Sequence, residues 1–479
     1  MEKYRVDFGL QDEAKYSAIA HRIKRLIDEN RIVDGEKLPS IRDLAGFLGL
    51  STVTIVSAYR KLENEGYAVQ KKGSGTYAKM RDSSRSFKKE YSKGLKLISS
   101  ESADGYIDLT GEMLTTEFFP ITSFKSVLDE VLDRDGAEAL ITQEALGYEG
   151  LRETISRVFW NEKVKSDDIL IVTGAQQGID IISKALINQN DYVLVEKPTY
   201  SGALSVFKSR MANIIDMPIG KNGIDVDKLE KMLMKNSISC FYTMSYFQNP
   251  TGMSYGLEEK KRILQLAEIY DFFIIEDDYL SELIFDESIP YSSFRSLDRK
   301  NRVIYVKSFS KLFLPGIRLG YLITPPKYRE AIQNSKFNTD IATSSLMQRA
   351  LEMYINKGYW IEYIDKLKEI YKSRYRVMEQ CIKEKLGRQV EYISPGGGLH
   401  FYLRISDSFS IDALKLFRLA KAKKVLVTPG GMFYKNPMDG RKYFRLSFST
   451  ADERQRGLGI EILSGIISEY GCGVKVNER

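Results

Sequence analysis

Five short apolar segments, separated by helix-length stretches, constrain the fold of this chain more than any other feature. They read DDILIVTG, DYVLVEKP, SISCFYTM, FFIIEDD and RVIYVKSF. Strands that are apolar on both faces and alternate with helices form a mostly parallel sheet covered by helices on both sides. We therefore predict an α/β domain over residues 106–479, with a small α+β subdomain mainly over about 370–479.

Unusual polar residues follow several of these strands, at the end where parallel sheets bind ligands. Gly174-Ala175-Gln176-Gln177-Gly178 precedes a helix, and backbone N–H groups at a helix N-terminus form a phosphate site. Each motif also has an ordinary interpretation, since Asn249-Pro250-Thr251-Gly252 alone fits a β-turn. The other polar residues after strands are Asp277, Tyr279, Ser308, Ser310, Lys311 and Arg318.

Taken together and in this order, the motifs resemble the fold-type I pyridoxal-phosphate enzymes of the aspartate aminotransferase superfamily. The resemblance covers about residues 106–470 and is closest to the branch with EKPTY, NPTG, EDDY and SFSK…RLGY. It implies that Lys311 forms a Schiff base with pyridoxal 5′-phosphate, reacting as the free amine. It also implies that Asp277 pairs with the pyridine nitrogen and that the Tyr200 ring stacks on the pyridine face.

The same resemblance assigns the remaining cofactor contacts. Asn249 and Tyr279 are expected to hydrogen-bond the phenolic oxygen of the ring. The phosphate is expected to contact Ala175, Gln176, Ser308, Ser310 and Arg318, and Tyr148 to reach the phosphate of the neighbouring subunit. That last contact implies a homodimer, and the arrangement that we predict for it is head-to-tail. No metal site is predicted.

Two further positions bear on a small-molecule effector. Arg445 matches the arginine with which the family binds a substrate α-carboxylate, although an ordinary edge-strand arginine fits its sequence context as well. GABA-sensing relatives carry an additional arginine just after the position of Tyr200, and this chain has Gly202 there. The glycine argues against a carboxylate clamp of that design. His400 is interpreted as a packed side chain rather than a catalytic base.

The first 80 residues have a different pattern, with three helical segments and a hairpin. Ile19, Ile23, Leu26 and Ile27 share one face of the first segment. Ser40 and Ser51 are placed to cap the second and third segments, and Gly49 to end the second. In the third segment, Val53, Val56, Tyr59 and Leu62 are predicted to face inward. YAVQKKGSGTYA alternates on both sides of Gly73-Ser74-Gly75, as a hairpin does.

Three short helices and a basic hairpin are typical of a winged helix-turn-helix. The string KLPSIRDLA…LGLSTVTIVSAYRKLENEGY…GSGTY resembles the GntR-family winged helix over about residues 12–80. The resemblance implies that the recognition helix enters the major groove and the wing the minor groove. The family commonly has arginine where this chain has Thr52, and threonine cannot bind guanine bidentately. The DNA-contacting residues implied are Ser40, Arg42, Ser51, Thr52, Thr54, Arg60 and Gly75.

Charge separates the two parts of the chain. Residues 1–96 contain 20 Lys+Arg and 13 Asp+Glu, so that the whole formal net charge of +7 lies in them. A basic front and a neutral remainder indicate that only the front contacts a polyanion. Residues 81–105 are rich in Ser, Lys and Arg without a sustained period, which predicts a flexible basic linker between a domain over 1–80 and the α/β domain.

Other bulk features fit a cytoplasmic protein. Three cysteines show neither metal spacing nor a disulfide framework, and no apolar signal core follows Met1. The longest apolar runs are shorter than the roughly 18 residues that span a bilayer.

A winged helix tethered to an aminotransferase-like domain is the architecture of the MocR-type (GabR-like) regulators of the GntR family. The resemblance implies a transcriptional regulator that binds double-stranded promoter DNA and senses an amino compound, or pyridoxal phosphate itself, through a Lys311 aldimine. Two alternatives remain open. One is a functional aminotransferase that carries a DNA-binding domain, and the other a regulator of vitamin B6 synthesis with pyridoxal phosphate as its only effector.

Overall fold

The computed structural model describes residues 1–6, 14–28, 31–32, 35–71, 74–79, 105–111, 115–142, 144–340 and 342–471. Contacts between residues divide the chain into two compact units, Met1–Lys93 and Gly94–Arg479. The predicted linker lies outside the described residues except for residue 105.

The first unit contains three helices and a two-stranded hairpin. These are α1 (Lys15–Asp28), α2 (Ile41–Leu48), α3 (Thr52–Asn64), β1 (Ala68–Lys71) and β2 (Gly75–Ala78). β1 and β2 pair antiparallel, so the predicted hairpin is present. Gly73, at its predicted tip, lies outside the described residues.

Capping side chains define the helix-turn-helix, as the sequence predicts. The Ser40 hydroxyl accepts a hydrogen bond from the Asp43 N–H, and the Ser51 hydroxyl accepts one from the Thr54 N–H. Gly49 ends α2 in the left-handed conformation at φ 63°. The three-residue turn leaves α2 and α3 bent by 118°, within the range of DNA-binding helix-turn-helix motifs.

The buried residues of this unit agree with the sequence pattern except at two positions of α3. Tyr59 and Leu62 are buried as predicted, and so are the four predicted residues of α1. The inward orientation predicted for Val53 and Val56 is wrong, because these side chains are 71% and 37% exposed. Ile55 takes the buried place instead, on the same face as Ala58, Tyr59 and Leu62, which follow it by three, four and seven residues.

The second unit combines many short strands with helices along the chain. Its strands are β3 (Ile107–Asp108), β4 (Ile169–Val172), β5 (Tyr192–Lys197), β6 (Asn213–Gly220), β7 (Gly223–Ile224), β8 (Ile238–Thr243), β9 (Phe273–Asp278), β10 (Val303–Ser308), β11 (Gly320–Ile323), β12 (Val390–Tyr392), β13 (His400–Ile405), β14 (Val425–Leu426), β15 (Thr428–Pro429) and β16 (Tyr443–Ser447).

Helices surround these strands. They are α4 (Ile121–Asp135), α5 (Glu138–Ile141), α6 (Glu149–Trp160), α7 (Ala175–Leu186), α8 (Ser201–Ser209), α9 (Val226–Leu233), α10 (Leu257–Ile269), α11 (Phe294–Leu297), α12 (Pro326–Thr339), α13 (Ser345–Asn356), α14 (Tyr359–Cys381), α15 (Ala413–Ala422) and α16 (Glu453–Ser468). None of the described helices is by itself long and apolar enough to cross a membrane; only the bent α2–α3 pair passes such a test, jointly and by length and composition alone.

The large sheet has eight strands in the order β4-β11-β10-β9-β8-β5-β6-β7. Strands β10, β9, β8, β5 and β6 run parallel, whereas β11 is antiparallel to both of its neighbours and β7 is antiparallel to β6. The five predicted apolar segments form β4, β5, β8, β9 and β10, of which β4, β9 and β10 are buried at every position. The predicted α/β class with a mostly parallel sheet is confirmed.

A second sheet has the order β12-β13-β16-β15 and lies in the C-terminal part of the chain. Arg445 on β16 is opposite Tyr402 on β13, and His400 is opposite Ser447. β3 pairs with β14 in parallel, which brings the start of the unit to its C-terminal part. Residues 109–111 are thereby placed beside β16, because the Ser447 N–H donates to the Leu109 carbonyl.

Candidate cofactor site and DNA-binding surface

The polar residues singled out in the sequence lie at or just after the ends of β4, β8, β9 and β10, four strands of the large sheet. β9 and β10 are parallel neighbours, with Asp277 opposite Val306. Because the carboxyl ends of parallel strands lie along one edge of a sheet, Asn249, Asp277 and Lys311 lie at the same edge.

An anion cradle is formed where β4 passes into α7. Gly174 has φ 101°, and a Cβ built on it would lie 3.5 Å from the Arg318 Nη2 and 3.9 Å from the Ser308 Oγ. A guanidinium and a hydroxyl therefore face the space that a side chain at 174 would fill. The N–H groups of Ala175 and Gln176 open α7 beside that space. This combination suits a phosphate.

Two residues of the segment after β10, Arg318 and Ser310, are held by hydrogen bonds to backbone carbonyls. Arg318 adopts the left-handed conformation at φ 50°, and its Nη2 donates to the Thr173 carbonyl over 3.0 Å. The Ser310 hydroxyl donates to the Leu319 carbonyl over 3.3 Å. The segment from Ser310 to Arg318 therefore lies beside the end of β4, next to Gly174.

Asp277 is a buried carboxylate with one oxygen open to a donor. Its Oδ2 accepts a hydrogen bond from the Tyr242 hydroxyl over 2.7 Å. Its Oδ1 is buried and accepts no hydrogen bond from the described residues. Burial raises the pKa of Asp277 to about 7, against the opposing effects of the Tyr242 hydrogen bond and the Lys307 charge. A protonated ring nitrogen is the partner that such an oxygen lacks.

The amine of Lys311 is held by a backbone carbonyl. Its Nζ donates to the Gly111 carbonyl over 2.7 Å. Gly111 has φ 75°, and a Cβ there would lie 2.4 Å from the Ser447 Cβ and 2.9 Å from the His400 Cε1. Both the conformation and the close packing require glycine at this position.

Arg445 is buried and bridges two parts of the site. Its Nη1 donates to the Asn249 Oδ1 over 2.7 Å, and its Nη2 donates to the Thr110 carbonyl over 2.7 Å. His400 lies nearby and is buried, as predicted for a packed side chain. Burial, and then the charges of Arg445 and Lys311, lower the pKa of His400 well below its ordinary value, so that it is neutral at pH 7.

The tyrosines of the predicted site have their own partners in the single chain. The Tyr200 hydroxyl donates to the Gln176 Oε1 over 3.1 Å. The Tyr279 hydroxyl donates to the Phe247 carbonyl over 3.1 Å. The Tyr148 ring lies 4.2 Å from the Arg349 guanidinium.

The structure also gives a reason for glycine at position 202. A Cβ there would lie 2.2 Å from the Gln176 Oε1 and 2.4 Å from the Tyr200 Cε1. An arginine at this position would displace both side chains, so the Tyr200–Gln176 arrangement and a second carboxylate-binding arginine exclude each other here.

Three residues of this site were missed in the sequence. Tyr242 is the last but one residue of an apolar strand, and its pairing with Asp277 follows only from the adjacency of β8 and β9. Gly111 and Thr110 lie far from Lys311 and Arg445 in sequence and meet them through tertiary contacts. Gly111 could not be singled out from the sequence, because many turns contain a glycine with positive φ.

The predicted DNA-contacting residues lie on the surface of the first unit. Six of them are exposed and Thr54 is half-buried. The Ser40 hydroxyl also donates to the Asp43 carboxylate, and the Ser51 and Thr54 hydroxyls are 2.9 Å apart. The two serines therefore act as helix caps in this structure. The exposed residues are Ser40, Arg42, Ser51, Thr52, Arg60 and Gly75.

The two units together define a class of protein, a winged helix-turn-helix followed by a fold-type I aminotransferase domain. The family model for class I and II aminotransferases matches residues 110–460, and that for bacterial regulatory proteins of the gntR family matches residues 15–78. The chain therefore belongs to the class I and II aminotransferase family, and its gntR-family domain makes it a MocR-type member of the GntR regulators.

Relatives match either the whole chain or its second unit. The uncharacterized HTH-type transcriptional regulator YdfD of Bacillus subtilis is 28% identical over 473 residues, which cover 95% of this chain and 96% of YdfD. The aromatic-amino-acid aminotransferase 1 of Thermococcus litoralis is 30% identical over 383 residues, covering 78% of this chain and 90% of the relative.

A solved structure bears on the cofactor. LysN, an α-aminoadipate aminotransferase of Thermus thermophilus crystallised with N-(5′-phosphopyridoxyl)-L-leucine, is 28% identical, has a TM-score of 0.71 and covers 80% of this chain and 98% of its own. The cofactor of the present chain is pyridoxal 5′-phosphate. The open Oδ1 of Asp277 and the cradle around Gly174 fit its ring nitrogen and its phosphate.

Proposed function

We propose that the protein is a pyridoxal-phosphate-dependent transcriptional regulator. It binds promoter DNA through α2, α3 and the hairpin, and it senses an amino compound at Lys311. The observation that carries the proposal is the presence, in one chain, of a gntR-type helix-turn-helix with six of its seven predicted DNA-contacting residues exposed and a cofactor site with its charged partners in place.

Each cofactor contact has a residue of this chain to supply it. Asp277 would bind the ring nitrogen, and the phosphate would be bound by Ala175, Gln176, Ser308, Ser310 and Arg318. Asn249 and Tyr279 would contact the phenolic oxygen, and Tyr200 would stack on the ring face. When bound, the cofactor supplies an aldehyde that captures amines and a ring that withdraws electrons. In a dimer, Tyr148 would contact the phosphate of the partner subunit's cofactor.

The effector proposed for this site is an α-amino acid. Arg445 offers a guanidinium to the carboxylate, and its Nη1 donates to Asn249, the residue that would contact the phenolic oxygen of the cofactor. A carboxylate would compete with the Asn249 amide and the Thr110 carbonyl for the same N–H groups. Neutral His400 adds no second positive charge beside it. Because position 202 is glycine and supplies no guanidinium, we assign Arg445 as the partner of the carboxylate.

A first experiment tests both halves. The purified full-length chain is expected to be yellow, and borohydride reduction should fix the cofactor covalently on the peptide that contains Lys311, but not in Lys311→Ala. The same protein should enrich a common sequence from a random 40-base-pair duplex pool. A protein that takes up no pyridoxal phosphate and enriches no sequence would refute the proposal.

A second candidate, a working aminotransferase, is favoured by the complete set of residues at the cofactor. Measuring whether the protein releases a 2-oxo acid from a bound amino acid distinguishes this function from that of a regulator. A third candidate is a regulator with pyridoxal phosphate as its sole effector. Titrating the cofactor alone and measuring DNA binding distinguishes it from the other two. An effect of added amino acid on DNA affinity, without steady 2-oxo acid release, supports the sensor.

A further inference from the structure

The outward face of α3 is apolar where it begins. Val53 is 71% exposed and Val56 is 37% exposed. Single exposed apolar side chains are common on protein surfaces. Here two of them lie three residues apart on the solvent side of the helix that follows the turn of a helix-turn-helix, which is the helix that such motifs insert into DNA.

Helical geometry makes these valines part of one continuous surface. At 3.6 residues per turn, Val53, Val56 and Arg60 fall within one side of α3. The buried residues Ile55, Ala58, Tyr59 and Leu62 occupy the opposite side. The surface therefore runs from an apolar first turn to the exposed guanidinium of Arg60 near the middle of the helix.

The chemistry of this surface limits what it can recognise. Valine has no hydrogen-bonding side-chain atoms, so it cannot read the donors and acceptors of the base edges. In the major groove only thymine presents a methyl group, which apolar side chains contact. Thr52, exposed beside Val53, has a hydroxyl and a methyl group, and it cannot supply the bidentate contact by which arginine or lysine reads guanine.

We propose that Val53 and Val56 read the C5-methyl groups of thymine in the major groove, with Arg60 on the DNA backbone. The inference rests on the proposed DNA-binding function and adds to it the base feature that is recognised. The operator half-site is accordingly expected to place A·T pairs opposite the first two turns of α3.

Replacing thymine by uracil tests this directly, because it removes the methyl group and keeps the base pair. The full-length protein first selects a duplex from a random 40-base-pair pool, and the selected duplex is then synthesised with deoxyuridine in place of thymidine. Each contacted methyl group should contribute about fourfold in affinity, so that two give a loss of roughly fifteenfold.

The variants assign the loss to residues. Val53→Ala combined with Val56→Ala should bind the thymine and uracil duplexes within about twofold of each other. Both positions are exposed, so these changes leave the core of the unit intact. Val69→Ala is the matched control, since Val69 is 39% exposed on β1 of the hairpin. It should keep the full difference between the two duplexes.

Arg60→Ala separates backbone affinity from methyl recognition. It should weaken binding to both duplexes equally and reduce the salt dependence of binding. If the wild type binds its selected duplex equally well with thymine or uracil, methyl recognition is overturned while DNA binding stands. If it enriches no duplex, the proposed function fails, and the inference fails with it.

Discussion

Lys311 and Arg445 donate hydrogen bonds to neighbouring carbonyl oxygens, those of Gly111 and Thr110, each over 2.7 Å. Lys311 follows β10 of the large sheet, whereas Arg445 lies on β16 of the second sheet, far away in sequence. A single backbone segment at the start of the second unit therefore contacts both the predicted cofactor lysine and the predicted effector arginine. That segment lies a few residues after the predicted linker, at the start of the second unit.

Arg445→Ala is expected to remove the response to amino acids while the cofactor stays bound. The loss of a charge-assisted pair of about 2 kcal/mol corresponds to roughly thirtyfold weaker binding. The absorbance of the bound cofactor, followed while a panel of L-amino acids is titrated, measures this. Arg404→Ala is the control, because Arg404 lies on β13 of the same sheet and pairs with Glu391 and Asp407. Equal responses in the two variants would exclude the assigned role.

Asp277→Asn is expected to change how stability depends on pH in the cofactor-free protein. The pKa of Asp277 is about 7 in the folded chain and 3.8 ordinarily. Between these values the folded state holds a proton that the unfolded state lacks, so the contribution of Asp277 to the free energy of unfolding falls by about 1.4 kcal/mol per pH unit as pH rises.

The comparison of wild type and variant isolates this effect. From pH 5 to pH 7 the free energy of unfolding of the wild type should fall by about 2 kcal/mol relative to Asp277→Asn. Urea unfolding monitored by the fluorescence of Trp160 and Trp360, which both lie in the second unit, measures the difference. A difference that stays constant over this range contradicts the burial of an ionisable carboxyl at this position.

Tyr242→Phe is expected to weaken cofactor binding by about tenfold, because it removes the hydrogen bond that orients Asp277, a contribution of about 1.4 kcal/mol. Tyr305→Phe is a matched control. It deletes a buried hydroxyl that donates over 2.8 Å to Asp278, the next residue on β9, whose side chain points to the opposite face. Equilibrium titration with pyridoxal phosphate distinguishes the two. Equal losses would reduce Tyr242 to a general structural role.

Gly111→Ala is expected to destabilise the second unit by about 3 kcal/mol, through overpacking against Ser447 and His400 and through left-handed strain. Gly358→Ala isolates the strain, since Gly358 has φ 80° and no atom within 4 Å of its ideal Cβ position among the described residues. That variant should lose about 1 kcal/mol. Urea unfolding of both variants supplies the numbers, and similar losses would contradict the tight packing at Gly111.

Local sequence patterns were sufficient for the elements themselves. The apolar segments of the large sheet form strands, and Ser40, Ser51 and Gly49 define the ends of α2 and the start of α3. These features depend on a few neighbouring residues, whose hydrogen bonds and backbone conformations act over one turn or one strand. The order of the motifs was likewise sufficient to indicate the family and its cofactor.

Side-chain direction on α3 needed the tertiary structure. Valine at 53 and 56 and isoleucine at 55 are all apolar, so hydrophobicity alone does not fix which face is inward. The packing of α3 against α1 and α2 selects Ile55. The two valines therefore lie on the surface, although the sequence pattern predicted that they would be in the core.

What the sequence determined by itself is the set of elements, the family and the residue types at the strand ends. What only the tertiary structure decided is which of these residues meet: Tyr242 with Asp277, Gly111 with Lys311, and Arg445 with both Asn249 and Thr110. The reason is that capping and strand formation are local, whereas these hydrogen bonds join positions 35 to 335 residues apart and depend on strand order and on the packing of two sheets.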